Sequence, residues 1–364
     1  MTSLFDPIQL GAISAKNRIV MAPLTRGRSE GVHVPITALK AEYYAQRAGA
    51  GLIIAEATGI TQEGSGWPSA PGIWSSEQVE AWKPVTDAVH EAGGKIVLQL
   101  WHMGRLVHPD FLGGAAPVSS SATTAPGFAH VPGEKKPYEQ ARALRLDEIP
   151  RVIGDYAHAA KNAMAAGFDG VQLHGANGYL IDQFLRDNSN FREDAYGGPI
   201  ENRIRLLREV TQALADTVGA DRTSVRLSPN GETQGVDDSN PVPLFTAAAA
   251  ALQEIGIGFL ELREQKTYGT FGTSDVPRVS PDIRKVFTAP LILNQEYTLE
   301  TARADLESGL ADAISFGRKF ISNPDLPDRL ASGAELTPDN YRTWYSPGPE
   351  GYTDYPTLDA LVDA

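Results

Sequence analysis

The sequence predicts an α/β fold, a single closed (β/α)8 barrel of the TIM type. Three observations lead there. Eight short apolar or β-branched runs recur along the 364 residues. Segments of helical period lie between them. The main rival, an open doubly wound sheet, would usually carry a Gly-x-Gly-x-x-Gly after its first strand, and none occurs there. One barrel accommodates the whole length, so residues 1–364 are expected to form one domain.

The eight runs are Ile19–Leu24, Gly51–Ala57, Lys95–Trp101, Gly170–His174, Thr223–Ser228, Phe259–Arg263, Pro290–Asn294 and Ala313–Gly317. Each reads as a parallel strand buried on both faces. Between them the spacing predicts helices over Thr37–Ala48, Glu77–Ala92, Asp147–Ala166, Glu201–Val218, Val242–Ile255, Pro281–Phe287 and Leu299–Ser308. Asp147 is the expected N-cap of its helix, and Gly167 its stop. Two excursions interrupt the alternation. Residues 105–146, rich in Pro, Gly, Ser and Thr, are expected as a long loop or hairpin over the barrel mouth after strand three. Residues 264–280 are expected as a mobile lid loop after strand six.

Composition removes several function classes. A formal charge of −13 repels nucleic acid and anionic membrane surfaces, while leaving room for a phosphate held locally. With no cysteine there is no disulfide, thiolate metal site, cysteine-ligated cluster or thiol nucleophile. The N-terminus lacks a basic start and a long apolar run, so a cytoplasmic protein without a signal peptide is expected.

Barrels of this kind place their active sites at the C-terminal strand ends. Those ends hold Pro23, Leu24, Thr25, Ala57, Thr58, Gln99, Trp101, His102, His174, Arg226, Asn294, Gln295, Gly317 and Arg318, with Asn177 and Tyr179 just after strand four. There is no carboxylate pair for glycoside hydrolysis, and no clustered ligand set for a metal. Two neutral donors and a phenol, His174, Asn177 and Tyr179, suit a carbonyl oxygen with a proton delivered beside it. Taken singly, each has a structural reading: a core histidine, a turn asparagine between Gly175 and Gly178, a packed tyrosine. An inward Arg226 suits a planar heterocycle that becomes anionic, as reduced flavin does. Gly317-Arg318 lies where barrel phosphate sites commonly form. Together these describe a flavin mononucleotide site rather than a dinucleotide one.

Six runs then resemble the Old Yellow Enzyme family of flavin-dependent ene-reductases. They are Lys-Asn-Arg-Ile-Val-Met-Ala-Pro-Leu-Thr-Arg at 16–26, Gln-Leu-Trp-His at 99–102 and His-Gly-Ala-Asn-Gly-Tyr-Leu at 174–180. Beyond them come Asp-Ala-Tyr-Gly-Gly-Pro-Ile-Glu-Asn-Arg at 194–203, Gly-Arg-Lys-Phe-Ile-Ser-Asn-Pro-Asp at 317–325 and Glu-Gly-Tyr-Thr-Asp-Tyr-Pro at 350–356. The resemblance implies non-covalent FMN, reduced by NADPH or NADH, that passes hydride from N5 to an activated alkene in a ping-pong cycle. It implies that Pro23, Thr25, Ala57 and Gln99 contact the isoalloxazine, with Arg226 at N1 and the C2 carbonyl. Gly317 and Arg318 would hold the phosphate, with the backbone of Asn294 and Gln295 beside it. His174 and Asn177 would bind the substrate's oxygen, Tyr179 would be the proton donor, and Trp67, Trp101 and Tyr345 would line the substrate pocket. Two departures stand out. Asn294-Gln295 replaces a glycine-containing stretch of many relatives, and position 177 is Asn where others carry a second His.

The implied partners are enones, enals and nitroalkenes, with no nucleic acid, membrane or metal, in a monomer or homodimer. Two other functions fit the same residues: an FMN reductase of nitro compounds, nitrate esters or quinones, and a non-catalytic flavin- or phenol-binding redox sensor.

Overall fold

The computed structural model describes residues 2–362 apart from 270 and 271. Eight parallel strands close into a barrel in chain order: β1 (Ile19–Met21), β2 (Leu52–Gly59), β3 (Ile96–Trp101), β4 (Gly170–His174), β5 (Thr223–Leu227), β6 (Phe259–Arg263), β7 (Leu291–Asn294) and β8 (Ala313–Phe316). Nearly every strand residue is buried, as expected where one face meets helices and the other the barrel interior. The first run stops as a strand at Met21, so Pro23–Thr25 leave the sheet as loop. β2 starts one residue later and ends two residues later than its pattern predicts, and its register with β3 shifts between Ala55 and Thr58. Such a bulge re-aims side chains. Here it accompanies a buried Glu56 that binds Lys40 Nζ at 2.5 Å and accepts from the Tyr44 hydroxyl at 3.3 Å.

The outer ring comprises α1 (Thr37–Ala45), α2 (Ser76–Glu91), α3 (Ile149–Ala165), α4 (Arg205–Val218), α5 (Pro241–Ile255), α6 (Ser280–Val286), α7 (Leu299–Glu307) and α8 (Arg318–Ser322). Two helix expectations need correction. Asp147 does not cap α3, which starts at Ile149 and has Glu148 at the cap with no capping bond. Pro150 suits the first helical turn because it lacks the N–H that would go unpaired there. Asp147 pairs with Arg145 instead, while Glu148 takes both arms of Arg142 at 2.8 and 2.9 Å. The helix expected over 201–218 breaks at Ile204 into a turn, Ile200–Arg203, and α4.

The excursion after β3 is built, not open. It holds an antiparallel hairpin, Phe128–Val131 with Glu134–Pro137, and a short parallel pair, Val118–Ser119 with Arg142–Ala143. The loop after β6 is pinned at its ends. Glu264 Oε1 accepts from the amides of Val279 and Ser280 at 2.6 and 2.8 Å, and Ser274 N donates to Lys266 O at 2.8 Å. Residues 270 and 271 of the expected lid lie outside the described residues.

Two further elements were not anticipated. The hairpin Ile8–Leu10 with Ile13–Ala15 seals the N-terminal end of the barrel, packing Leu10 and Ile13 on Val20, Ile54, Val97 and Ile292. Burying one such side chain contributes about 1.5–3 kcal/mol. At the other end, three buried arginines fasten residues 343–352. Arg28 donates to the carbonyls of Trp344 (2.6 Å), Thr343, Gly348 and Glu350. Arg26 donates to Trp344 O and Gly351 O, and Arg47 to Tyr352 O. Tyr352 stacks on Tyr43 with ring centroids 4.0 Å apart. Among the described residues, no helix is long and apolar enough to cross a membrane.

Candidate active site

A cavity of about 770 Å³ opens at the C-terminal strand ends. Its wall brings together Pro23 and Thr25 after β1, Asn177 and Tyr179 after β4, Arg226 on β5 and Arg263 on β6. Asn294, Gln295, Gly317 and Arg318 follow from β7 and β8, and Tyr345 from the fastened tail.

Beneath the cavity a belt of polar side chains spans the barrel interior. Gln99 Nε2 donates to Gln172 Oε1 at 2.7 Å, and Gln172 Nε2 to Glu261 Oε2 at 3.0 Å. Ser315 Oγ donates to Glu261 Oε1 at 2.6 Å, and Arg226 forms an ion pair with the same carboxylate. Arg226 Nη2 also meets Asn294 Oδ1 at 2.9 Å, and Asn294 Nδ2 donates to Ser315 O at 2.8 Å. Parallel pairing sets Arg226 opposite Glu261, Gln99 opposite Gln172 and Asn294 opposite Ser315, which brings these partners within reach. A buried ion pair needs its spare hydrogen-bonding capacity met; the belt meets that of Glu261 but leaves Arg226 Nε without an acceptor among the described residues.

His174 ends β4 and is 5 % exposed. Its Nδ1 accepts from the Ala176 amide at 3.4 Å, so the neutral ring carries its proton on Nε2. Burial, aided by the charges of Arg226 and Arg263, holds its pKa well below the ordinary histidine value. Tyr179 sets its ring edge-on to His174 and to Trp101, with centroids 4.8 and 5.0 Å away. Burial pushes its phenol pKa above the ordinary value of 10.0.

Asn177 adopts a left-handed backbone, φ 58°, which asparagine tolerates better than most residues. Its amide N donates to Ser228 Oγ at 2.8 Å, and its carbonyl accepts from Gln234 Nε2 at 2.6 Å. Its side-chain Oδ1 accepts from Arg263 Nη1 at 2.7 Å. Gly178 next to it, at φ +79°, has no room for a Cβ, which would lie 2.8 Å from Thr233 O. Its amide donates to Asp182 Oδ2 at 2.9 Å, and Asp182 is paired with Arg186 at 2.8 Å. The turn that carries Asn177 and Tyr179 is therefore fixed by buried charges on the following helical turn.

Not every expected residue reaches the cavity wall. Gln99 is buried with its amide turned to Gln172, and Ala57 packs beside Trp101 in a small apolar cluster. Trp101 is 2 % exposed behind Tyr179, and its indole Nε1 has no acceptor among the described residues. Trp67 instead stands at the mouth, its ring 5.0 Å from His130 of the hairpin and 5.3 Å from Tyr345. Arg318 faces the cavity while paired with Asp339 at 2.9 Å and lying over the Trp344 ring. Gln295 turns its Oε1 to Arg263 Nε at 3.1 Å and holds φ at 104°, a value that favours glycine.

Sequence reasoning missed Arg263 and Glu261. Both sit two apart in Leu260-Glu261-Leu262-Arg263, the alternation that puts one face of a strand inward, and that is the signal that would have found them.

The cavity suits an anionic, planar guest. Arg26, Arg226, Arg263, Arg318 and Lys319 line it against only Glu232 and Glu296, in a chain whose net charge is −13. Arg226 Nε and Gln295 Nε2 are buried donors with no acceptor among the described residues. Such orphaned donors inside a cavity call for a ligand's acceptor atoms. The volume lies in the range of cofactor sites. The residues present fit a flavin mononucleotide.

Comparison with known proteins agrees. Residues 3–337 match the family model described as NADH:flavin oxidoreductase / NADH oxidase family. The solved old yellow enzyme homologue from Zymomonas mobilis is 63 % identical, with a TM-score of 0.96 over 98 % of this chain and 100 % of its own. Morphinone reductase, solved in complex with tetrahydroNAD, is 42 % identical, with a TM-score of 0.94 over 100 % of both chains. Chanoclavine-I aldehyde reductase from Penicillium roqueforti is 44 % identical over 98 % of this chain and 96 % of its own length.

Proposed function

The chain belongs to the NADH:flavin oxidoreductase / NADH oxidase family, that of Old Yellow Enzyme, and from that premise we propose that it is an FMN-dependent, NAD(P)H-driven ene-reductase acting on alkenes conjugated to a carbonyl or nitro group. Residues 1–364 form one FMN-binding barrel domain, working in the cytoplasm as a monomer or homodimer. Pro23, Thr25, Ala57, Gln99 and Arg226 hold the flavin ring, with Gln99 acting from the polar belt. Gly317 and Arg318, with the backbone of Asn294 and Gln295, hold the phosphate. Trp67, Trp101 and Tyr345 shape the substrate's space, from the mouth and from behind Tyr179. Bound there, FMN supplies the hydride chemistry, accepting from NAD(P)H and giving to the activated alkene.

The chain's own residues do the rest. His174 Nε2–H and the Nδ2 hydrogens of Asn177 donate to the substrate's oxygen. Those bonds strengthen as enolate charge builds on it, which lowers the barrier. Tyr179 gives its phenolic proton to the α-carbon, and Arg226 places a fixed positive charge under the developing anion on the cofactor side.

The observation that carries this reading is one cavity wall that holds the Asn177 amide, the Tyr179 phenol and a buried Arg226, with the His174 ring edge-on to Tyr179 behind it. A non-catalytic sensor would not need a proton donor, and the relatives named reductases do not favour that reading. The test is a preparation reconstituted with FMN. It should be yellow, bleach anaerobically on adding NADPH, and regain its colour with cyclohex-2-enone. A protein that retains no flavin, or whose reduced form is stable to the enone, overturns the reading.

A further inference from the structure

Asn177 is anchored at its backbone from both sides, by Ser228 Oγ on its amide and Gln234 Nε2 on its carbonyl. What remains free is the flip of its carboxamide, which exchanges an acceptor oxygen for a donor nitrogen. The two orientations have opposite consequences for a substrate's oxygen: one offers two hydrogens, the other a lone pair. Arg263 decides between them. A guanidinium only donates, so the Asn177 atom 2.7 Å from Arg263 Nη1 is necessarily the oxygen. Turning the amide over would exchange a charge-assisted hydrogen bond for an N–H facing a cation, a preference of roughly ten- to a hundredfold. Arg263 is itself aimed: its Nε donates to Gln295 Oε1 at 3.1 Å, and it ends β6, a strand wholly buried in the barrel.

We propose that Arg263 is a positioning residue for Asn177: it holds the Asn177 oxygen away from the reacting centre and so delivers the Nδ2 hydrogens to the substrate's carbonyl or nitro oxygen. The inference rests on the ene-reductase reading and adds to it a residue that touches neither the reacting carbon nor the transferred proton. It also explains how asparagine serves where a second histidine would otherwise donate: the amide is useful only when something fixes its orientation. The chain supplies that from the neighbouring wall of the barrel. The alternative neighbours of Asn177, Ser228 and Gln234, act on its backbone and leave the flip open.

The experiment measures kcat/KM for cyclohex-2-enone at saturating NADPH in the FMN-loaded enzyme, with flavin content and thermal midpoint as checks of folding. Arg263→Met leaves the two orientations about equally populated and should lose about twofold, as the correctly turned fraction falls from nearly all to about half. Arg263→Lys, still a donor-only cation, should recover the wild-type value. Arg263→Gln can meet either end of the amide and should behave as the Met variant does, which serves if the Met variant folds poorly. In an Asn177→Ala background, Arg263→Met should cost nothing further, because the two act as one unit. If the two losses multiply, or if Arg263→Met leaves kcat/KM unchanged while Asn177→Ala lowers it, the positioning role is overturned and the ene-reductase reading stands. If Asn177→Ala itself costs nothing, the assignment of Asn177 to the substrate's oxygen fails, and the inference fails with it.

Discussion

Tyr179 stands edge-on to His174, with ring centroids 4.8 Å apart and planes at 82°. In the proposed mechanism the contact sets the proton source against a hydrogen-bond donor, so an oxygen held by one would have its neighbouring carbon near the other. Tyr179→Phe keeps the ring and its packing but removes the proton. General acids contribute about 10²–10⁴-fold. Anaerobic stopped-flow should show reoxidation by cyclohex-2-enone slowed by about that factor, with reduction by NADPH within about twofold of wild type. Equal loss in both half-reactions would deny Tyr179 the proton-donor role.

In the proposed mechanism His174→Ala removes one of the two donors to the developing oxyanion. A single such donor is worth about 2.7–4 kcal/mol in other enzymes, or roughly 10²–10³ in rate. The fall should appear in kcat more than in the affinity for the enone, since the bond strengthens after binding. A change confined to KM would reduce His174 to a ground-state contact.

The two titrating groups of the site point in opposite directions. His174 is depressed from 6.5, so it stays a neutral donor at and above neutral pH. Tyr179 is raised from 10.0, so it stays protonated there. The enone kcat/KM should therefore be level from about pH 6 to 9, as neither group changes state. Stability should not be level. Below 6.5 the unfolded chain takes up a proton at His174 that the folded one resists, so folding weakens as pH falls through that window. His174→Gln should flatten this acid limb in urea titrations. An unchanged limb would place the linkage elsewhere.

The barrel frame is legible because buried parallel strands leave continuous apolar runs that end where the sheet ends. Gly170–His174 and Phe259–Arg263 match to the residue. Ile19–Leu24 overruns, since Pro23 cannot donate to a ladder but an apolar pattern does not register that. The clustering of His174, Asn177 and Tyr179 after one strand is legible. Glu261 and Arg263 are not, because their meaning lies in partners on other strands: Arg226 and Ser315 for one, Asn177 and Gln295 for the other. The capping role given to Asp147 fails for a similar reason, as a nearby Arg145 offers it a charged partner.

Gly178→Ala tests the turn between the two site residues. A methyl group would meet Thr233 O at 2.8 Å in a left-handed backbone. The conformation alone costs about 1–2 kcal/mol. The thermal midpoint should fall by several degrees and the enone kcat/KM at least about tenfold, since Asn177 and Tyr179 flank the shift. A stable variant with full activity would show that this turn yields without moving its neighbours.

Arg28→Met tests the fastened tail. It removes the donor to the carbonyls of Thr343, Gly348 and Glu350, while Trp344 O keeps Arg26; the buried Thr343 carbonyl costs about 1–3 kcal/mol if left unpaired. Trypsin should then cut sooner at the exposed Arg342, and KM for the enone should rise as Tyr345 loses its place. Unaltered cleavage would mean that Arg26 and Arg47 suffice.

That fastening has a consequence for the order of events during synthesis. Arg26, Arg28 and Arg47 leave the ribosome early, and the carbonyls they bind are made some three hundred residues later. Until then Arg26 has Tyr43 Oη, Arg28 the Arg26 carbonyl, and Arg47 the carbonyls of Tyr43, Phe320 and Ile321. The wall carrying Trp344 and Tyr345 is the last part of the cavity to be laid down.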